Sequence, residues 1–232
     1  MTIILYDLAG AESERRFSPY CWRTRLALAH KGLEVETVPW RFTEKEKLPK
    51  PNQGRVPVIV DEGVVVHDST AIALYLEEHY KDRPSLFGGA VGRGLAAFVQ
   101  NWTEGVVQPA LTRFVHLDIY RHVAPQDRDY FRRSREERFG MTLEEVVKDR
   151  DARLPPFRES LLPVRRTLER QNFLSGSAPA YGDYILFGVF AWARAISDFE
   201  LLSAGDPIAA WRQRMLDLFA GLARRSPGYG DF

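Results

Sequence analysis

Over the first 90 residues the apolar positions fall in short β-branched runs separated by helical stretches, whereas after about Gly92 they recur at three- and four-residue spacing. That change predicts an α/β unit over 1–86 followed by an all-helical unit over 92–232. Ile3 to Tyr6 is a first short strand. Ser18-Pro19 opens a helix whose apolar face carries Trp22, Leu26 and Ala29, and Gly32 ends it. Val35 to Val38 follows closely enough to lie parallel to the first strand in a β-α-β unit. Trp40 to Gly54 is polar, holds Pro49 and Pro51, and leaves room for one irregular helix. Val56 to Val60 and Val64 to Val66 flank the turn Asp61-Glu62-Gly63 as a hairpin, and Asp68-Ser69 caps a helix carrying Ile72 and Leu76. The order is β-α-β-α-β-β-α.

In the second unit Leu95, Phe98, Val99, Trp102 and Val106 predict a long helix facing a core, interrupted near Pro109. Residues 124–156 read as a solvated polar insertion with one helical piece around Thr142 to Lys148. Helical spacing resumes with Phe157, Leu161, Val164 and Leu168, and again over Tyr184 to Ile196. A last helix has Asp206 at its cap and Pro207 in its first turn. Phe98, Trp102, Phe114, Phe187, Phe190 and Trp192 sit at helical spacing and read first as core, with a share available as walls of an aromatic pocket.

Composition narrows the function. Among 232 residues, 32 Lys and Arg against 31 Asp and Glu leave a net charge of +1, so no overall field draws the chain to nucleic acid or to an anionic membrane. No apolar run approaches the ~20 residues that span a bilayer, and the start lacks the pattern of a signal peptide. The single cysteine, Cys21, excludes an internal disulfide and a cysteine-based zinc site and fits a reducing cytoplasm. His30, His67, His79, His116 and His122 have no metal-ligand spacing, so no metal is expected. The run from Arg128 to Arg138 is interleaved with acids and aromatics, which suits surface ion pairs better than a phosphate grip.

Three turns can carry chemistry. Ser18-Pro19-Tyr20-Cys21 stands at a helix start, whose unpaired N–H groups and positive dipole end favour an anion or thiolate; simple capping by Ser18 accounts for the same residues. At Arg55-Val56-Pro57 a cis bond would turn the Val56 backbone outward toward an extended peptide ligand, while a trans proline at a strand end is the plainer alternative. Asp68-Ser69 could hold a carboxylate with its N–H and hydroxyl groups and an ammonium with Asp68, or merely cap its helix. Together the three suggest a binder of a small zwitterionic peptide.

On these residues the chain resembles the glutathione transferase superfamily, of thioredoxin-like N-terminal domain and all-helical C-terminal domain. Ser18-Pro19-Tyr20-Cys21 is similar to the glutaredoxin-type Cys-Pro-Tyr-Cys run with its nucleophile replaced by Ser, as in the serine-type transferases. Asn52 to Pro57 resembles the family's cis-proline loop, and Asp68-Ser69 resembles the pair that holds the γ-glutamyl end. Asp183 resembles the family's capping Asp, although Ala180 stands where the reciprocal Ser or Thr is usual. A finer resemblance, to the bacterial lignin β-etherases and the fungal etherase-related branch, rests on Trp22-Arg23-Thr24, Arg55 to Asp61, and Pro125 to Tyr130 with Ser134-Arg135-Glu136.

The resemblance implies glutathione as cosubstrate. Ser18 would support the thiolate with Tyr20 as reserve donor, and Ser18, Arg55, Val56, Pro57, Asp68 and Ser69 would line the glutathione site. It implies attack on a small hydrophobic, aromatic electrophile, aryl ether cleavage included, by a homodimer. The rival readings are a non-catalytic glutathione-binding or assembly module, and thiol–disulfide exchange at Cys21.

Overall fold

The computed structural model describes residues 2–230. Strands β1 (Ile3–Leu8), β2 (Val35–Trp40), β3 (Val58–Asp61) and β4 (Val64–His67) form a mixed sheet of order β2-β1-β3-β4. β1 and β2 pair in parallel across helix α1 (Pro19–His30), as a β-α-β unit requires, while β3 runs antiparallel to both β1 and β4. Helix α2 (Ser69–His79) closes the unit. Two expectations shrink here. The helix allowed between Trp40 and Gly54 is only a 3-10 turn, Lys45–Lys47, and the third strand starts at Val58, behind Pro57, which has no N–H to give a ladder.

The helical unit runs through α3 (Ala90–Trp102), α4 (Gln108–His122), α5 (Arg128–Phe139), α6 (Leu143–Val146), α7 (Arg150–Ser160), α8 (Leu162–Leu168), α9 (Tyr181–Ile196) and α10 (Pro207–Gly221). The long helix expected from Leu95 to Val106 is interrupted by a π turn, Thr103–Val107, just ahead of Pro109, whose missing N–H removes one rung of the ladder. Its apolar stripe also does not all face a core: Ala96 and Val99 are buried, but Val91, Leu95 and Phe98 are 89%, 48% and 69% exposed.

Helix α9 is apolar nearly all round, and almost every residue in it is buried, which makes it the central post of the molecule. Its cap is built by Asp183. That buried carboxylate accepts from the N–H groups of Leu174 (2.7 Å), Ser175 (3.2 Å) and Ala180 (3.2 Å) and from Trp211 Nε1 (3.0 Å). Ala180 has no side-chain acceptor to return, so one half of a capping box is absent, and the extra donors take its place.

The segment over residues 124–156 is not a polar loop but the turn Pro125–Asp127 followed by α5, α6 and the start of α7. A few apolar positions suffice: Phe131, Leu143 and Val146 are fully buried among otherwise charged neighbours. Buried Asp127 fastens the segment to the α/β unit by accepting from the N–H groups of Phe42 (3.0 Å) and Thr43 (3.1 Å) and from Thr43 Oγ1 (2.5 Å). Of the arginines in this run Arg132 pairs as expected, with Glu136 and Glu144, both at 2.9 Å, whereas Arg135 and Arg138 lie over aromatic rings.

Candidate functional site

Sheet topology brings the three turns together. β1 and β4 both end, and β3 begins, at the same edge, because Val58 faces Tyr6 near the end of β1 and His67 at the end of β4. Ser18 follows β1, Pro57 precedes β3, and Asp68-Ser69 follows β4, so helices α1 and α2 both start at that edge. Two helix N-termini there make it a place for negative charge.

Each turn shows its plain role and keeps something spare. Ser18, 4% exposed, caps α1 by accepting from the Cys21 N–H at 3.2 Å; that contact uses only a lone pair, and its O–H lies within reach of the Cys21 thiol. The Val56–Pro57 bond is cis; Arg55 is exposed and Val56 half-buried, ahead of the ladder. A second cis bond, Lys50–Pro51, was not foreseen. Asn52 braces this loop, donating to the carbonyls of Leu48 (3.2 Å) and Pro49 (2.9 Å) and accepting from the Gly54 N–H (2.8 Å). Asp68 caps α2 with one oxygen, from Thr70 (2.8 Å) and Ala71 (3.0 Å), and its other oxygen is uncommitted. Ser69 is buried and fixed through its carbonyl, which accepts from Tyr181 of α9 at 2.8 Å.

Cys21 does not have the setting of a reactive thiol. It is buried, and burial pushes its thiol well above the ordinary range, helped by neighbouring Asp7. Asp7 is itself buried beside Arg16 (3.7 Å) and Arg25 (3.6 Å), and desolvation still lifts its carboxyl above the usual value against those two charges.

Sequence reasoning missed the polar contacts that surround Tyr20. Its ring lies under the Arg23 guanidinium at 4.7 Å, and its hydroxyl accepts from Gln108 Nε2 at 3.2 Å. Arg23, wholly buried, donates to Glu104 of the π turn at 2.6 Å. An arginine three residues past Tyr20, on one face of a helix that is mostly buried, was the available signal. Missed too was an aromatic wall leading from the site into α5: Phe17 to Phe42 at 6.2 Å, Phe42 to Phe131 at 5.6 Å, and Arg135 over both rings. His116 stacks beyond Phe131, 8% exposed, with neither ring nitrogen hydrogen-bonded; burial with Arg135 and Arg138 nearby brings its pKa down to about 3. Of the aromatics read first as core, Phe187 and Phe190 pack on Trp211, and Phe114 packs on Phe157 and Phe199.

Among the described residues no group of three or more His, Cys, Asp or Glu could hold a metal ion, and no helix is long and apolar enough to cross a membrane.

Comparison with known proteins decides the family. Residues 13–84 match the N-terminal domain of glutathione S-transferase and residues 94–215 match its C-terminal domain. The chain belongs to the glutathione S-transferase family. Glutathione transferase GSTFuA3 from the fungus Phanerochaete chrysosporium has the same fold with a TM-score of 0.82 at 26% identity, covering 95% of this chain and 97% of that one. A glutathione S-transferase of Ceriporiopsis subvermispora, solved in complex with glutathione, gives 0.78 at 25% identity, covering 94% and 96%. Among curated sequences, a zeta-class glutathione S-transferase from Euphorbia esula is 33% identical over 112 residues, 46% of this chain and 50% of that protein. Glutathione S-transferase Z1 of Arabidopsis thaliana is 39% identical over 69 residues, 28% and 31% of the two lengths. The chain thus spans half or less of these two curated relatives.

Proposed function

We propose that this family member is a serine-type glutathione transferase that lowers the thiol pKa of bound glutathione and directs the sulfur at a small aromatic electrophile. One observation carries the reading: three turns able to hold an extended zwitterionic peptide meet at one sheet edge, with a serine hydroxyl at the start of α1. In that role Ser18 donates to the sulfur, the Val56 backbone pairs with the cysteinyl unit, Ser69 serves the γ-glutamyl carboxylate, Asp68 takes its ammonium, and Arg55 lies along the loop. Half-buried Phe42, backed by the buried rings of Phe17 and Phe131, is the apolar surface offered to an aromatic electrophile, aryl ethers included. No feature favours exchange at Cys21, whose thiol is buried and held protonated.

A homodimer completes the proposal. Val91, Leu95 and Phe98 recur along one exposed face of α3, beside a depression of about 490 Å³ lined by Phe87, Arg93 and Ala97, and a second copy of the chain would cover them. A reducing cytoplasm suits a lone cysteine. The test is the ultraviolet absorbance of bound thiolate, titrated with the purified protein and glutathione, together with turnover of aryl ethers, aryl halides and conjugated enones. Glutathione that binds without an ionised thiol at neutral pH would make the protein a binding module instead.

A further inference from the structure

We infer that the Tyr20 hydroxyl serves the electrophile rather than the sulfur: it donates to an oxygen on which negative charge builds during attack, and Gln108 and Arg23 are the positioning residues that hold it. The inference rests on the glutathione reading above and names the electrophile it suits, a conjugated carbonyl or an ether whose oxygen takes up the displaced electron pair.

The geometry divides the work between the two hydroxyls. Ser18 is at the cap of α1 and Tyr20 two residues on, in its first turn. Tyr20 faces the helical unit, because its ring stacks with Arg23, the stem of Arg23 lies under Gly188 of α9, and its oxygen meets Gln108 of α4. That oxygen accepts the amide N–H of Gln108 at 3.2 Å, and no residue among those described takes its proton, so the O–H remains to be given. The ring cannot swing freely, since the guanidinium above it is wholly buried and tied to Glu104 at 2.6 Å. A second observation is that polar atoms on the elements that hold Tyr20 are left without partners. Arg23 Nε and Nη2, Thr103 Oγ1 and Gln108 Oε1 are all buried without a hydrogen-bond partner, and they come from α1, the π turn and the first residue of α4. Unpaired groups of this kind are uncommon inside a folded chain and cluster where a ligand or ordered water completes them.

With a conjugated enone the step balances as follows. The thiol proton has already passed to solvent; the sulfur forms its bond to the β-carbon; the carbon–carbon π pair shifts and places negative charge on the carbonyl oxygen. Tyr20 donates its hydrogen bond to that oxygen, and a solvent proton then completes the α-carbon. With benzyl chloride the departing chloride leaves with its electron pair and needs no donor, so the same sulfur attack proceeds without Tyr20.

The experiment compares kcat/KM for 4-phenyl-3-buten-2-one and for benzyl chloride in the parent protein, Tyr20→Phe and Gln108→Met, with the bound-thiolate titration run on each. Tyr20→Phe is expected to lower turnover of the enone on the order of 10²-fold, the usual effect of removing one oxyanion donor. Its effect on benzyl chloride should be at least tenfold smaller, so that the enone-to-chloride ratio falls, with no rise in the thiolate pKa. Gln108→Met is expected to lower the enone-to-chloride ratio in the same direction by a smaller factor, a shift in selectivity that a loss of folded protein cannot produce. Equal losses on both electrophiles, or a raised thiolate pKa in Tyr20→Phe, would overturn the donor role while leaving the transferase reading standing. A parent protein that forms no thiolate would overturn that reading and this inference with it.

Discussion

On the proposed reading Ser18 Oγ has two tasks, capping α1 and donating to the glutathione sulfur, and Ser18→Ala removes both. As a cap, Ser18 Oγ accepts the Cys21 N–H at 3.2 Å. Losing such a cap costs about 1 kcal/mol, or about 2–4 °C of melting temperature for a chain of this size. As a donor to sulfur it makes a charge-assisted bond, and here compensation enters. The mutation frees the Cys21 N–H, which lies at the same helix start and still favours an anion there. The net rise in thiolate pKa is therefore expected to be about one unit, equivalent to ~1.4 kcal/mol, rather than the full value of the bond. A free thiol with a pKa near 8.5 is about 3% ionised at pH 7; at ~6.5 it is about three-quarters ionised, and at ~7.5 about one quarter. The assay is a pH titration of bound-thiolate absorbance in both proteins, with thermal unfolding alongside. A lower melting temperature with superimposable titrations would refute the reasoning and leave Ser18 as a cap alone.

Ser69→Ala should weaken glutathione binding by about 1.5–3 kcal/mol, roughly 10- to 150-fold, as a hydrogen bond to a charged group is lost; unchanged affinity by calorimetry would argue against the γ-glutamyl assignment. Phe98→Asp, at an exposed position, should yield a folded monomer by light scattering, and a parent protein already of single-chain mass would contradict the dimer face. His116 stays neutral in the folded state down to about pH 3 but is protonated near its ordinary value once unfolded. The unfolded chain therefore binds the extra proton between those values, and stability falls on acidification below about pH 6.5 by up to ~1.4 kcal/mol per pH unit. His116→Phe, which fits among Phe131, Phe139 and Trp192, should flatten that slope in melting temperature against pH, and parallel slopes would exclude His116 as its source.

What could be read from the sequence was what local chemistry dictates. β-branched runs gave the strands, and Ser18-Pro19 and Asp206-Pro207 marked helix starts, whereas the meeting of the three turns at one edge needed the sheet topology. The charged segment over 124–156 misled because composition hides how little apolar surface a docked helix needs; Phe131 and Asp127 do the fastening, and Asp127 acts on Phe42 and Thr43, 85 and 84 residues away. Phe98 misled in the opposite sense. Its spacing is helical, yet spacing does not say whether the face meets the same chain or another. The contact of Tyr20 with Gln108 lay beyond sequence reasoning for the same cause, since a partner 88 residues away leaves no periodic trace.

Gly188 has a consequence for how this architecture can vary. A side chain there would overlap the Pro19 carbonyl oxygen, so central helix α9 and the first turn of α1 meet backbone to backbone. At that crossing, as where Gly10 meets the His122 carbonyl, the two units are joined rigidly, with no pliable side chain to absorb a mismatch. An α/β unit transplanted from another transferase would inherit a working cleft only if its partner helix also carried the smallest residue at the matching turn. The joint, more than the sulfur site, limits which halves of such enzymes are interchangeable.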